Sequence, residues 1–165
     1  MKNNNSVCGL CGYEIERTQP LFFFPVLPPN HNLADIRGVL HSSCLIAQEK
    51  SREIGTPLAD IVEDLARTST DAPFFSRDGK IVARYRPVEE NLEIIDFENF
   101  CEIIIPKSKF NYISNIKNGI VPLRFQDLDI KENGRVVLIN AIDGISYSLQ
   151  TLNFSRLRAL LNPRG

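Results

Sequence analysis

Two pairs of soft donor residues, separated by a 29-residue gap, constrain this chain more than any other feature. Cys8 and Cys11 lie in Val7-Cys8-Gly9-Leu10-Cys11-Gly12, and His41 and Cys44 repeat the spacing in His41-Ser42-Ser43-Cys44. Two cysteines three positions apart place both sulfurs on one cation in a tight turn. Gly9 and Gly12 let the backbone bend so that its amides approach the thiolates. The second pair falls at the expected start of a helix, where residues three apart share a face. Three thiolates and one imidazole fill a tetrahedral zinc shell and leave no open position, so one structural zinc ion is the expected cofactor. Magnesium and calcium prefer oxygen donors. A disulfide or redox pair and unligated core thiols are the alternatives. A thioredoxin-like pair needs a βαβ setting that residues 7–13 do not offer. Cys101, between Phe100 and Ile103-Ile104-Ile105, reads as a buried strand residue and not a fifth ligand. His31, in Pro28-Pro29-Asn30-His31-Asn32, has no paired cysteine and reads as a loop histidine.

A chain of 165 residues can bury a substantial core. Its formal net charge of −1 gives no global reason to expect a polyanionic partner. No apolar run reaches the roughly 18 residues of a membrane-spanning helix, so no membrane association is expected. Residues 1–6 have no apolar core behind them, so no secretion signal is expected either. A cytoplasmic location follows, where thiols stay reduced and paired cysteines serve metals.

The pattern divides into a zinc-binding module over 1–50, a helical connector over 51–72 and an α+β domain over 73–165. Within the first, 42–54 is expected to be helical and to stop at Gly55. The connector starts again from Thr56 as N-cap and Pro57 at the first helical position. Leu58, Ile61, Val62 and Leu65 then line one face, and the run from Thr68 to Pro73 ends the helix. The C-terminal part is hairpin-rich. Asp78-Gly79, Asn133-Gly134 and Asp143-Gly144 supply turn residues, and 81–83, 92–95, 101–105, 136–139 and 145–149 are expected strands. Short helices are expected at 108–117, with Phe110, Ile113 and Ile116 inward, and at 153–161, closed by Pro163. Strands that neighbour strands through tight turns make this an α+β chain with an antiparallel sheet.

The knuckle at Cys8 and Cys11, a hairpin stretch and then His41-x2-Cys44 opening a helix resemble a treble-clef-type zinc finger. The half-site pattern is similar to the first zinc site of LIM domains, and the long gap is closer to the fingers of poly(ADP-ribose) polymerases. The resemblance covers residues 7–50 and implies the four metal ligands. Nothing after Cys44 supplies the second site of a LIM domain. Polymerase-type fingers bind DNA breaks through a basic surface. Here Lys2, Arg17, Arg37 and Lys50 are matched by Glu14, Glu16, Asp35 and Glu49, which argues against phosphate binding by the finger.

Three further features are candidates for contacts. Phe22, Phe23 and Phe24 form a recognition loop for a partner, or more simply a strand packing the finger against the remainder. Lys80, Arg84 and Arg86 share one side of an expected strand, with Arg77 just before it. They are the candidate nucleic-acid contacts, against the simpler reading of a solvated sheet face. Glu89, Glu90, Glu93, Asp96, Glu98 and Glu102 meet a basic partner or pair with those arginines. Asp127 and Asp129 read as surface residues. Catalysis finds no foothold: the chain has two histidines, one assigned to zinc, and no phosphate-binding loop or nucleophile elbow. No small-molecule substrate is evident. The expectation is a non-enzymatic regulatory protein that binds another protein, with nucleic-acid binding through the Arg77–Arg86 stripe as the alternative.

Overall fold

The computed structural model describes residues 7–16, 20–31, 33–48, 51–69, 74–124, 126–140 and 144–162. The chain is a mixture of helices and antiparallel sheets, as expected for α+β. A two-stranded hairpin, β1 (Leu21–Phe24) and β2 (Gly38–His41), leads into helix α1 (Ser42–Ala47) and then helix α2 (Ser51–Thr68). A four-stranded meander follows: β3 (Phe75–Asp78), β4 (Ile81–Arg86), β5 (Asn91–Asp96) and β6 (Cys101–Pro106). A 3-10 turn (Lys107–Lys109) and α3 (Phe110–Asn115) connect to a second meander. That sheet comprises β7 (Gly119–Pro122), β8 (Gln126–Ile130), β9 (Arg135–Asn140) and β10 (Ser146–Asn153), and α4 (Phe154–Leu161) closes the order.

The alternation along β4 to β6 explains how one sheet serves two cores. Ala83 faces Ile94, which faces Ile103, while Val82 and Ile95 pair on the opposite side. Ile81, Ala83, Leu92, Ile94, Ile103 and Ile105 pack against Leu128, Val136, Leu138 and Leu152 of the second meander and Leu157 of α4. Val82 and Ile95 instead join Phe97 and Phe100, the hairpin's Phe22, Phe24 and Leu40, and Ile54, Leu58 and Val62 of α2. The first meander is therefore buried on both faces, which accounts for the unbroken apolar run Ile81-Val82-Ala83.

The helices depart from the expected boundaries. The stretch 42–54 is not one helix, and Gly55 does not end it: α2 starts at Ser51 and runs through both Gly55 and Pro57. Neither Thr56 nor Pro57 marks a helix start. Close packing overrides the local signals, because a Cβ at Gly55 would lie 2.9 Å from the Phe97 carbonyl oxygen and 2.9 Å from the Lys80 side chain. The glycine is there to let the helix approach the β5–β6 turn. On α2 the buried apolar side chains are Ile54, Leu58, Ala59 and Val62, whereas Leu65 is exposed. Thr68 is the last helical residue, and Thr70 to Pro73 lie outside the described residues.

Turns follow the glycines with small shifts. Asp78 pairs with Ile81, so the first loop consists of Gly79, at φ +61°, and Lys80. Gly134 sits at φ +80° and donates its N–H to the Lys131 carbonyl, which makes a three-residue loop. Gly144 has φ +70°; Asp143 and Pro163 are outside the described residues. The α4 start is capped by the Asn153 side chain, which accepts the Arg156 N–H. Among the described residues no helix is long and apolar enough to cross a membrane.

Candidate metal centre

The knuckle is a short turn closed on itself. The Cys8 N–H donates to the Tyr13 carbonyl and the Gly12 N–H to the Cys8 carbonyl, both at 2.8 Å. Gly12 takes φ +72°, where a side chain would be strained. The β1–β2 register then brings in the second half-site. Leu21 stands opposite His41 and Phe22 opposite Leu40, so His41 ends β2 next to the knuckle. Because α1 begins at Ser42, Cys44 falls within its first turn.

The result is that one donor atom from each of Cys8, Cys11, His41 and Cys44 lies within 4.8 Å of the others. The Nδ1 of His41 is 3.4 Å from the Cys11 sulfur and 3.7 Å from the Cys44 sulfur. Zinc bonds of ordinary length at tetrahedral angles set sulfur and nitrogen about 3.6 Å apart. The four residues can hold one metal ion, and Nδ1 is the ring atom turned toward it. The tautomer that offers Nδ1 keeps its proton on Nε2, which is buried and has no hydrogen-bond partner among the described residues.

Electrostatics supports a cation. Burial works to raise the Cys8 thiol, but backbone N–H groups of His41, Leu10 and Cys11 outweigh it and bring the thiol down to about 6. Burial and the neighbouring sulfurs of Cys11 and Cys8 push Cys44 up to about 11. Like charges this close repel, and a cation among the sulfurs would offset that repulsion. Access is uneven: Cys8 and His41 are buried, Cys44 is half-buried and Cys11 is exposed. Cys101 lies in the other core, where burial holds its thiol well above the usual range, and His31 accepts the Leu33 N–H within its loop.

One side of the centre is locked to the first meander. Ser42, directly after His41, donates its hydroxyl to the Phe100 carbonyl at 2.5 Å and its N–H to the Pro20 carbonyl at 2.9 Å. Phe22 stands edge-on to Phe97 and Phe100, with centroids 5.8 and 5.6 Å away. Phe100 adopts φ +49° to place its ring there. Asp96 holds the same turn by accepting the N–H groups of Glu98 and Asn99 and the Asn99 amide. Sequence reasoning missed Ser42, Phe97 and Phe100 as parts of the site. Their only signal was the adjacency of Ser42 to a ligand.

The other candidate contacts are placed as follows. Phe22 and Phe24 are core residues, and Phe23 is 61% exposed. Arg77 bridges Asp60 at 2.7 Å and Glu63 at 2.6 Å, tying β3 to α2. Arg84 pairs with Glu93 at 2.5 Å, and Arg86 reaches Glu89 at 3.0 Å and Glu93 at 3.6 Å. The Lys80 stem runs against Gly55. Within the acidic stretch, Glu98 pairs with Arg156 and Glu90 stands 3.9 Å from Lys107. Asp129 is not a surface residue: it is 7% exposed and paired with Lys131. What the fold and site define is a mixed α+β chain with a cluster of four donors that could hold one metal ion. No protein-family model, curated protein or solved structure matches it.

Proposed function

We propose that the ion is zinc, that it is structural, and that the chain is a non-enzymatic binding protein which acts by engaging another protein. The observation that carries this reading is the donor set. Three sulfurs and one imidazole nitrogen converge within 4.8 Å, which fills a tetrahedral shell with protein atoms and leaves no position for a reacting water. A protein partner is favoured over nucleic acid because Arg77, Arg84 and Arg86 are engaged by carboxylates, so their charge is not free for phosphates. Tyr13, Phe23 and Val26, on the metal-organised part, hold large apolar side chains in solvent, as a contact surface does.

Elemental analysis of protein purified without chelator tests the metal, with one zinc per chain expected. Cobalt substitution tests the shell: intense visible bands of a tetrahedral thiolate site are expected, and an octahedral spectrum would reject the closed shell. Cys44→Ser should lose most of the zinc; full retention sinks the ligand assignment. For the partner, crosslinking in the native cell should capture a protein that Phe23→Glu releases while zinc content stays the same. Salt-sensitive binding to DNA or RNA would count for the other class.

A further inference from the structure

The four donors differ in one respect that a purely structural ion does not require: Cys11 is an exposed residue, while Cys8 and His41 are buried. We propose that the metal centre is a redox-sensitive latch, in which a peroxide oxidises Cys11, expels the metal and releases the finger from the β5–β6 turn. The proposal rests on the metal reading above and deepens it.

The chemistry is available within the cluster. The Cys11 thiolate attacks one peroxide oxygen, forming a sulfenic acid and breaking the O–O bond, and the leaving oxygen takes a proton to become water or an alcohol. The thiolate of Cys8 or Cys44, with sulfurs no more than 4.8 Å from that of Cys11, then attacks the sulfenic sulfur. A disulfide forms and hydroxide leaves, protonated to water. Two thiolates have lost two electrons and the peroxide has gained them. A disulfide holds its sulfurs about 2.05 Å apart, whereas a tetrahedral zinc site keeps them about 3.8 Å apart. Disulfide and filled shell therefore exclude each other. Cys101 is spared because it lies in the core between the two meanders.

The mechanical link runs through two consecutive residues. His41 is a ligand, and Ser42 makes the hydrogen bond to Phe100. When the imidazole loses its metal, the β2–α1 junction is no longer fixed. The Ser42 contact and the Phe22 ring between Phe97 and Phe100 then lose their anchor. The Asp96 hydrogen bonds keep the turn closed, but the strained φ of Phe100 loses the contacts of its ring and carbonyl and relaxes. Thiol reductant and fresh zinc reverse the change.

The test uses the full-length, zinc-loaded chain treated with hydrogen peroxide. Zinc release is followed by a chromogenic chelator, thiol state by differential alkylation and peptide mapping, and the turn by hydrogen exchange. One zinc is expected to leave per disulfide formed. The disulfide should contain Cys11, Cys101 should remain reduced, and exchange over residues 97–101 should speed up about tenfold. Reductant with zinc should restore the starting exchange. Retention of zinc and all four thiols at a dose that consumes glutathione overturns the latch, as does oxidation beginning at Cys101. Zinc loss with unchanged exchange at 97–101 overturns the mechanical link. A chain that holds no zinc from the outset overturns the metal reading itself, an outcome separable from the others.

Discussion

At the scale of single residues, the four-donor cluster depends on contacts that no ligand motif contains. Ser42 is the clearest, since its hydroxyl satisfies a buried carbonyl of a turn 58 residues away. Ser42→Ala removes the donor and leaves the Phe100 oxygen without it, which costs about 1–3 kcal/mol. The expected variant melts earlier yet still carries one zinc, because none of the four donors changes. Thermal melting with metal analysis on the same sample checks both halves. A zinc-free Ser42→Ala would show that the hydroxyl acts on the metal and not on the turn. The pairing of Cys8, Cys11, His41 and Cys44 was legible in the sequence because soft-donor spacing survives almost any intervening loop. Ser42 was not legible, because its partner is fixed only by how β5 and β6 turn.

At the scale of elements, the strands were readable and the helix ends were not. Ile81-Val82-Ala83 and Val136 to Ile139 are apolar runs after turn glycines, Ile103-Ile104-Ile105 is a run of branched residues, and each became a strand where expected. Gly55 misled because punctuation residues act on the local chain, and here a long-range contact outweighs it; Pro57 lies within the helix with no such contact to explain it. Gly55→Ala tests that account. Helix propensity alone predicts a gain of roughly 1 kcal/mol. The Cβ would meet the Phe97 carbonyl at 2.9 Å, so a net loss of about 1–3 kcal/mol is expected instead, read from chemical denaturation. A stabilised variant would mean that α2 does not press on that turn.

The charged end of the sheet face that carries Val82 and Ile95 permits a pH test. Burial raises the Glu102 carboxyl and the charge of Glu93 adds to it, against the pull of Arg84 and Arg86. A carboxyl with a raised folded-state value binds its proton more tightly when folded. Its favourable contribution is therefore present at low pH and is lost as pH climbs through that value. Glu102→Gln should accordingly be more stable than the natural chain at pH 7. The advantage should vanish below the unfolded-state value, about 4.3. Parallel melting curves across that range decide it, and a constant offset at every pH would assign the effect to packing.

At the scale of the whole molecule, the two hydrophobic clusters share one sheet but draw on different supports. The cluster between the meanders is built from strands, α3 and α4 and contains none of the four donors. The cluster around Phe22, Leu40, Leu58 and Phe97 includes Cys8 itself and rests on the hairpin that the donors pin down. Zinc binding contributes on the order of 10 kcal/mol in small modules, as large as the roughly 5–15 kcal/mol that holds an entire domain folded. With the proposed zinc in place, its removal should therefore dissolve the second cluster and leave the first. After chelation, amides of β1, β2 and α1 should exchange freely while those of β8 and β9 stay protected, and the single thermal transition of the metal-loaded chain should become two. The exposed faces of Val82 and Ile95 would then make the chelated chain bind a hydrophobic dye without losing its sheet signal. Uniform loss of protection through β8 and β9 would mean that the paired meanders cannot stand without the β1–β2–α1 segment, and that one ion supports the whole fold.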